Sequence, residues 1–286
     1  MYYGTVVPAL QNVDRPLVEL WLGLKSSGHS RRAYKMEIER FLAFTGKPLA
    51  QLSLGDVAEY ANQLGRGSLK PASQNRALTA VKSLLSFGHE TGYLPFNVGS
   101  AVKLKPNRDP LAQRILSEAD IIRLIECTPA GRDQVMLRLM YSSGVRVSEL
   151  VALRWSDIEA RSDAGQITVF GKGGKTRSIL LNPKAWQALT SLRGGAAAAD
   201  PIFRSRKGGR LDSSQVRRIV YAAAQRAGLA PQVSPHWLRH AHASHALDRG
   251  APIHLVQATL GHASVATTGR YLHARPTDSS ARYLSE

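Results

Sequence analysis

Cysteine is almost absent from this chain of 286 residues, because Cys127 is the only one. A single cysteine excludes an intrachain disulfide and any zinc site built from several cysteines. Cys127 lies in the apolar run IIRLIECTP, which predicts a small buried side chain. The chain also lacks a run of about 20 apolar residues that could span a membrane, and a basic-then-apolar start typical of a signal peptide. These absences favour a cytoplasmic protein without a membrane partner.

Acidic residues are scarce relative to basic ones. The chain has 38 Lys and Arg against 21 Asp and Glu, a formal net charge of +17 and a pI near 10.4. This surplus predicts a polyanionic partner, and we expect nucleic acid. The alternative is a solvated basic surface that only maintains solubility, which usually needs less charge. The length is sufficient for two domains that each bury a hydrophobic core.

The first hundred residues have the apolar spacing of helices. Ser30 is positioned to cap one helix, and Ser53 with Asp56 three residues later resembles a capping box for the next. Pro71 suits the first turn of a third helix. These signals predict an all-helical first domain.

Two basic residues of the third helix, Arg76 and Lys82, lie off its apolar stripe. They could contact DNA or simply form part of a solvated helix face. The segment 103–113 then contains two prolines and several basic residues, which is typical of a linker. We therefore expect a first domain over residues 1–102 and a second domain with a C-terminal tail over residues 114–286.

The second domain is also mainly helical, but its periodicity changes after residue 166. Two short β-type segments, 167–170 and 178–181, flank the basic glycine-rich sequence GKGGKTR, and this pattern predicts a β-hairpin. Helices are predicted at 132–141, 147–153, 183–192, 213–227, 235–247, 253–260 and 265–271.

A dispersed set of polar residues could form a metal-free site for cleaving phosphodiesters. The set comprises Arg146 in SGVRVSEL, Lys172 in GKGGKTR, His236 and Arg239 in PHWLRH, His262 in LGHASVATT, and Tyr271. The phenol of a tyrosine has a pKa of about 10, so it needs help to lose its proton and act as a nucleophile. Two guanidinium groups can each make paired hydrogen bonds to phosphate oxygens, where many nucleases use metal ions.

Each motif alone has a plainer interpretation. GKGGK lacks the spacing and the following helix of a phosphate-binding P-loop. His236 and His240 are four residues apart, as in some zinc sites, but the glutamate of HExxH is missing, so we expect no metal. Taken singly, His262 could be a helix-capping or core residue. The remaining histidines are expected to be structural: His240, His242, His245 and His254.

Taken together and in this order, the residues resemble those of the tyrosine recombinases, the phage-integrase family, and within it the short Xer-type recombinases. The blocks SGVRVSELVALRW, GKGGKTR, SPHWLRHAHASHAL and LGHASVATTGRYLH are similar to family signatures. Upstream, AYKMEIERFLAF and RALTAVKSLLSFGHETGYLPFN resemble the family's core-binding domain. The resemblance implies a mainly α fold with a small β component (α+β), in which a helical core-binding, SAM-like domain precedes the catalytic domain.

The resemblance implies a role for each residue of the set. Tyr271 would attack the phosphate and form a 3′-phosphotyrosyl link, while Lys172 would protonate the departing 5′ oxygen. His236 would take or share the tyrosine proton, and His262 would hydrogen-bond the scissile phosphate. No cofactor is required.

Three further residues are expected to support the site. Glu149 lies one turn after Arg146 and is positioned to orient its guanidinium or another site residue. Lys175 and Arg177, on the predicted hairpin, would contact DNA phosphates.

The resemblance also implies partners. We expect double-stranded DNA with a specific recombination site, a homo-tetramer on DNA or a hetero-tetramer with a second recombinase, a Holliday junction, and a DNA translocase as a candidate regulator. A Xer-type role in dimer resolution and chromosome segregation is favoured. The alternatives are the integrase of a mobile element, a type IB topoisomerase and, from another class, a non-catalytic DNA-binding regulator.

Overall fold

The computed structural model describes residues 13–25, 27–106, 111–162, 164–171 and 174–274. The chain divides into two units, Met1–Arg108 and Asp109–Glu286, each with its own hydrophobic core. Lys172, residues 107–110 of the predicted linker and residues 275–286 of the predicted tail lie outside the described residues. The predicted domain boundaries stay a prediction. None of the described helices is both long and apolar enough to cross a membrane.

Four α-helices form the described part of the first unit. They are α1 (Arg15–Gly23), α2 (Gly28–Thr45), α3 (Leu54–Arg66) and α4 (Pro71–Glu90). Their apolar faces enclose a core in which Trp21, Phe41 and Tyr60 are completely or almost completely buried. The predicted helical fold of this unit is confirmed.

Local sequence signals explain where these helices begin. Ser53 and Asp56 form the predicted capping box at α3, and Pro71 occupies the first turn of α4. The prediction for Ser30 was wrong, because α2 begins earlier. Ser27 is its N-cap, and the Ser27 hydroxyl accepts a hydrogen bond from the backbone N–H of Ser30 at 3.1 Å.

Asp14 connects three segments of the first unit that are distant in sequence. It precedes α1 and is only 2% exposed. Its carboxylate accepts hydrogen bonds from the backbone N–H of Leu49 at 2.9 Å and from the hydroxyl of Tyr93 at 2.9 Å. A buried N–H without an acceptor is costly, so this carboxylate stabilises the packing of α1 on the rest of the unit.

Arg76 and Lys82, the predicted DNA contacts of α4, both make contacts within the first unit. Arg76 is half exposed and donates to the buried carboxylate of Glu37 at 3.1 Å. Lys82 donates to the carbonyls of Ser100 and Val102, in the segment between α4 and the predicted linker. These contacts stabilise the unit, and the DNA contacts of both residues stay a prediction.

The second unit combines eight described helices with a small sheet. The helices are α5 (Glu118–Glu126), α6 (Arg132–Ser143), α7 (Val147–Ala152), α8 (Pro183–Thr190), α9 (Ser213–Arg226), α10 (Pro235–Asp248), α11 (Ile253–Leu260) and α12 (Val265–Ala274). The strands are β1 (Ile158–Arg161), β2 (Ala164–Phe170) and β3 (Thr176–Leu181), antiparallel in the order β1-β2-β3.

The predicted hairpin is confirmed as β2 and β3, with Ile167 paired to Ile179 on the buried face. Strand β1 was missed, because IEAR has only four residues, too few for its alternation to be a clear signal, and three of them are exposed. The prediction that Cys127 is buried was also wrong. Cys127 is exposed because it is the C-cap of α5, beyond the last buried residue of that helix, Ile125.

Replacing Asp14 tests the connection that it makes. Asp14→Ala is expected to lower the free energy of unfolding by about 1–3 kcal/mol, because the buried N–H of Leu49 loses its acceptor. Urea unfolding of the intact protein, with hydrogen exchange at the Leu49 amide, measures this. Tyr93→Phe is the matched control, since it removes only the hydroxyl contact and should cost less. Equal stability of Asp14→Ala and the wild type would contradict the assignment.

Candidate active site

Four elements of the second unit carry the described residues of the predicted site. Arg146 is the N-cap of α7, His236 and Arg239 lie on α10, His262 follows α11, and Tyr271 lies on α12. Helices α10, α11 and α12 pack on one another, and α11 also contacts β3. Residues far apart in sequence are thereby brought together.

Arg239 is a buried cation held by the backbone. Its side chain is 5% exposed, and its Nη1 and Nη2 donate to the carbonyls of Gly144 at 2.6 Å and Leu260 at 2.7 Å. Desolvation, followed by repulsion from Arg146, lowers its pKa to about 10. The guanidinium therefore remains protonated at neutral pH and has a fixed orientation.

Two glycines in the left-handed conformation make these backbone contacts possible. Gly144 has φ +60°, and a β-carbon there would lie 2.6 Å from the ring of His242. Gly261 has φ +63° and would bring a β-carbon to 3.0 Å from Nη1 of Arg177. Its carbonyl accepts from Nη2 of Arg146 at 3.2 Å. The two predicted phosphate-binding arginines, Arg239 and Arg146, thus donate to the carbonyls of Gly144 and Gly261, positions whose backbone conformation favours glycine.

Glu149 joins Arg146 to Arg177. Its carboxylate, 3% exposed, accepts from Nη1 of Arg146 at 2.9 Å and from the Arg146 backbone N–H at 2.8 Å. Both of its oxygens also accept from Arg177 at 2.9 Å. Burial opposes ionisation of this carboxyl, but the hydrogen bonds from Arg177 and Arg146 outweigh it and lower its pKa. The contact expected between Glu149 and Arg146 is present.

Arg177, a predicted DNA contact, makes several contacts inside the second unit, and its contact with a DNA phosphate stays a prediction. Its side chain is 14% exposed, and its Nε donates to the carbonyl of Thr259 at 2.7 Å. Its two other nitrogens bind Glu149, so every nitrogen of the guanidinium makes a contact inside the unit. Strand alternation places Arg177 on the same face as the buried Ile179 and Leu181, a signal that could have revealed this. Lys175 is exposed and its DNA contact stays a prediction.

Tyr271 is buried beside two histidine rings. It is 5% exposed, and its hydroxyl lies 2.9 Å from Nδ1 of His240. Its ring is nearly parallel to that of His262, with centroids 6.4 Å apart. Nδ1 of His262 lies 2.9 Å from Oγ1 of the buried Thr268. The phenol of Tyr271 therefore has His240 at its hydroxyl and His262 beside its ring face.

The histidines around the tyrosine are neutral at pH 7. Desolvation is the largest cause, and it lowers the pKa of His240 and of His262 to about 4 each. Repulsion from His236 adds to the effect at His240, and repulsion from Arg239 adds to it at His262. The pKa of His236 is lowered for the same two kinds of reason, although this residue is exposed. Neutral imidazoles can accept a hydrogen bond or a proton.

His240 contacts the hydroxyl of Tyr271, a placement that the sequence analysis did not predict. It was expected to be structural, like His242 and His245. Nδ1 of His242 lies 2.8 Å from the carbonyl oxygen of Tyr141, and Nδ1 of His245 lies 3.0 Å from the Tyr141 hydroxyl. The i, i+4 spacing of His236 and His240 was the available signal, because it places both rings on one face of α10. Their centroids are 6.4 Å apart. No group of three or more His, Cys, Asp or Glu in the described ranges could hold a metal ion.

Comparison with known protein families shows which family the chain belongs to. The model of the phage integrase family matches residues 113–278, and that of the N-terminal SAM-like domain of phage integrases matches residues 14–91. The chain belongs to the phage integrase family. The predicted fold class, with a SAM-like domain before the integrase domain, is confirmed.

Similar proteins narrow the assignment. Tyrosine recombinase XerC of Xanthomonas campestris pv. campestris (strain B100) is 32% identical over 274 residues, 92% of this chain and 84% of that protein. XerC of Pelobacter propionicus is 34% identical over 265 residues, 86% of this chain and 85% of that protein. The chain is a Xer-like tyrosine recombinase, an enzyme that cuts and rejoins DNA at specific sites, as the motifs predicted.

Solved structures share the architecture. The crystal structure of XerA recombinase is 31% identical, with a TM-score of 0.53 over 94% of this chain and 95% of that chain. A lambda integrase tetramer bound to a Holliday junction has a TM-score of 0.75 at 19% identity, over 93% of this chain and 78% of that chain. At this lower identity, the likeness shows the fold alone.

The network around Glu149 can be tested by stability. Glu149→Ala is expected to lower the free energy of unfolding by about 3–5 kcal/mol, because it leaves the guanidinium of Arg177 buried without its carboxylate. Urea unfolding of the intact protein measures this. Glu118→Ala is the matched control, since it removes a carboxylate from the exposed Arg249 and should have little effect.

The pH dependence of this network follows from the lowered pKa of Glu149. A carboxyl whose folded-state pKa is depressed stabilises the fold above its unfolded value, about 4.3, and loses that contribution as the pH falls through the folded value. The stability difference between the wild type and Glu149→Gln should therefore narrow below about pH 4.3. A difference that stays constant on acidification would contradict an ionised Glu149.

Proposed function

We propose that Tyr271 is the nucleophile of this recombinase and that Arg146 and Arg239 bind the phosphate it attacks. The observation that carries the proposal is the convergence of these residues from α7, α10 and α12, with Arg239 buried and protonated. Glu149 and the carbonyls of Gly144 and Gly261 orient the two guanidinium groups before DNA arrives. Such preorganisation is effective because the donors need not reorganise during the reaction.

In the proposed reaction, the hydroxyl oxygen of Tyr271 forms a bond to phosphorus while the bond from phosphorus to the 5′ oxygen breaks. Negative charge concentrates on the nonbridging oxygens of the five-coordinate phosphorus, where paired hydrogen bonds from Arg146 and Arg239 stabilise it. His262 donates a hydrogen bond to the same phosphate. Lys172, which lies outside the described residues, protonates the departing 5′ oxygen.

The product of cleavage is a 3′-phosphotyrosyl link and a free 5′-hydroxyl. The link retains the free energy of the broken phosphodiester, so the 5′-hydroxyl of another strand can attack it and rejoin the DNA without ATP. No cofactor enters either step. Exchange of one pair of strands generates a Holliday junction, and exchange of the second pair resolves it.

We further propose that the enzyme acts as a tetramer, of itself or with a second recombinase, on double-stranded DNA with a specific site. Two proteins of similar fold support this: lambda integrase, solved as a tetramer bound to a Holliday junction, and XerH, solved bound to its difH substrate. The net charge of +17 supports a DNA partner. Resolution of chromosome or plasmid dimers in the cytoplasm, under a DNA translocase, is the proposed role.

Mapping the genomic DNA that becomes covalently attached to the protein tests this role. Attachment at one chromosomal or plasmid resolution site would support it. Attachment at the ends of a mobile element would instead assign the protein as that element's integrase.

The nucleophile is tested by Tyr271→Phe. This change removes the attacking oxygen alone, so we expect no covalent complex with a nicked suicide substrate, and DNA affinity close to that of the wild type. Gel electrophoresis under denaturing conditions detects the covalent band. Tyr221→Phe is the matched control, because Tyr221 lies on α9 with its hydroxyl bonded to Gln225, and it should leave cleavage intact. A covalent band in Tyr271→Phe would move the nucleophile elsewhere.

The guanidinium pair is tested by Arg146→Lys and Arg239→Lys. Lysine keeps the charge but loses the paired hydrogen bonds, so each change should slow cleavage by about 10²–10³. Single-turnover rates at saturating DNA, with melting temperatures to monitor folding, measure the effect. Arg154→Lys is the matched control, since Arg154 also donates to a carbonyl, that of Ala199, outside the proposed site. Near-normal cleavage by both site variants would refute the phosphate clamp.

A further inference from the structure

The ring nitrogen that meets the hydroxyl of Tyr271 belongs to His240. The distance of 2.9 Å between Nδ1 and the phenolic oxygen is that of a good hydrogen bond. The two rings are tilted by 47°, with centroids 5.8 Å apart, so the contact is made by the edge of the imidazole. Both residues lie on helices of one packed group, α10 and α12, which fixes their relative position.

We propose that His240 is the catalytic residue that accepts the phenolic proton of Tyr271 during strand cleavage, a role that the family resemblance gives to His236. The inference rests on the proposed role of Tyr271 as nucleophile and extends it. As the phenolic oxygen bonds to phosphorus, its proton passes to Nδ1 of His240, and the electron pair of the breaking bond leaves with the 5′ oxygen. In the rejoining step, the proton returns from His240 to the departing phenolate.

His240 is in the protonation state that this role needs. Its lowered pKa keeps the ring neutral at pH 7, so with a hydrogen on Nε2 the Nδ1 lone pair can accept the hydroxyl proton. The charged or titratable groups that depress this pKa, after desolvation, are His236, Arg114, Arg239 and Arg270. The negative phosphate of bound DNA opposes their repulsion, which makes His240 a stronger base when substrate is present.

A second histidine of α10, His245, contacts a tyrosine of α6, Tyr141, and this pair provides a comparison. Nδ1 of His245 lies 3.0 Å from the hydroxyl of Tyr141, with ring centroids 5.8 Å apart. The distances in this pair match those of His240 and Tyr271, although its ring planes meet at 72° instead of 47°. Its tyrosine has no proposed part in the chemistry. If His240 only stabilises packing, replacing it should affect cleavage as little as replacing His245. If His240 accepts the proton of Tyr271, replacing it should slow cleavage much more.

The experiment combines His240→Asn with a change in the acidity of the nucleophile. An asparagine amide can accept a hydrogen bond from Tyr271 but cannot take its proton. Cleavage of a nicked suicide substrate is measured in single turnover, with either tyrosine or a more acidic fluorotyrosine at position 271. His240→Asn should slow cleavage by roughly 10²-fold with tyrosine, and by clearly less with fluorotyrosine, because the weaker base is then sufficient.

The decisive quantity is the rate with fluorotyrosine divided by the rate with tyrosine in each background. Where melting temperatures show that fluorination leaves the folded fraction unchanged in a given background, that fraction cancels in the ratio, so a destabilised variant still gives an answer. We expect a higher ratio in His240→Asn than in the wild type, and an unchanged ratio in the control His245→Asn. Equal ratios in His240→Asn and the wild type would overturn the proton transfer.

Failure of this inference can be distinguished from failure of the proposed function. If Tyr271→Phe abolishes the covalent complex while His240→Asn leaves both the rate and the ratio unchanged, Tyr271 remains the nucleophile and His240 is not its base. If Tyr271→Phe still forms the complex, the proposed function itself is wrong, and with it the role of His240.

Discussion

The site depends on one buried carboxylate. Glu149 accepts hydrogen bonds from two arginines at once, Arg177 on β3 and Arg146 at the start of α7. Arg177 reaches on to the carbonyl of Thr259 in α11, and Arg146 reaches the carbonyl of Gly261 just after it. A buried ion pair needs nearly all of its hydrogen bonds satisfied, so the sheet, α7 and α11 can adopt few other arrangements.

The arrangement concentrates positive charge at the proposed phosphate site. Two guanidinium groups with one shared carboxylate leave the site electropositive, and the backbone carbonyls that hold Arg239 orient it without neutralising it. The same charge, together with burial, keeps His240 and His262 neutral. In the proposed mechanism, phosphate binding and proton acceptance are therefore coupled, since the incoming anion both engages the arginines and makes the imidazoles more basic.

Local signals in the sequence predicted most of the fold. The capping box at Ser53, the proline at the start of α4 and the alternation of β2 and β3 were confirmed, because each acts within a few residues of itself. The predictions that failed depended on local signals that were weak or overlapped. Ser27 precedes Ser30 as a second possible cap, and β1 has almost no buried side.

The candidate site shows the same difference between what local sequence predicts and what it cannot. Motif order and spacing by themselves determined the family, the fold class and the identity of Arg146, Arg239, His262 and Tyr271 as candidates, because those features are carried by the order of residues. Only the tertiary structure decided which neighbours each side chain has. It turned Arg177 inward and placed His240 against Tyr271, since these contacts join segments 28 and 31 residues apart in the chain. Their geometry is set by the packing of whole helices and strands, which no local pattern encodes.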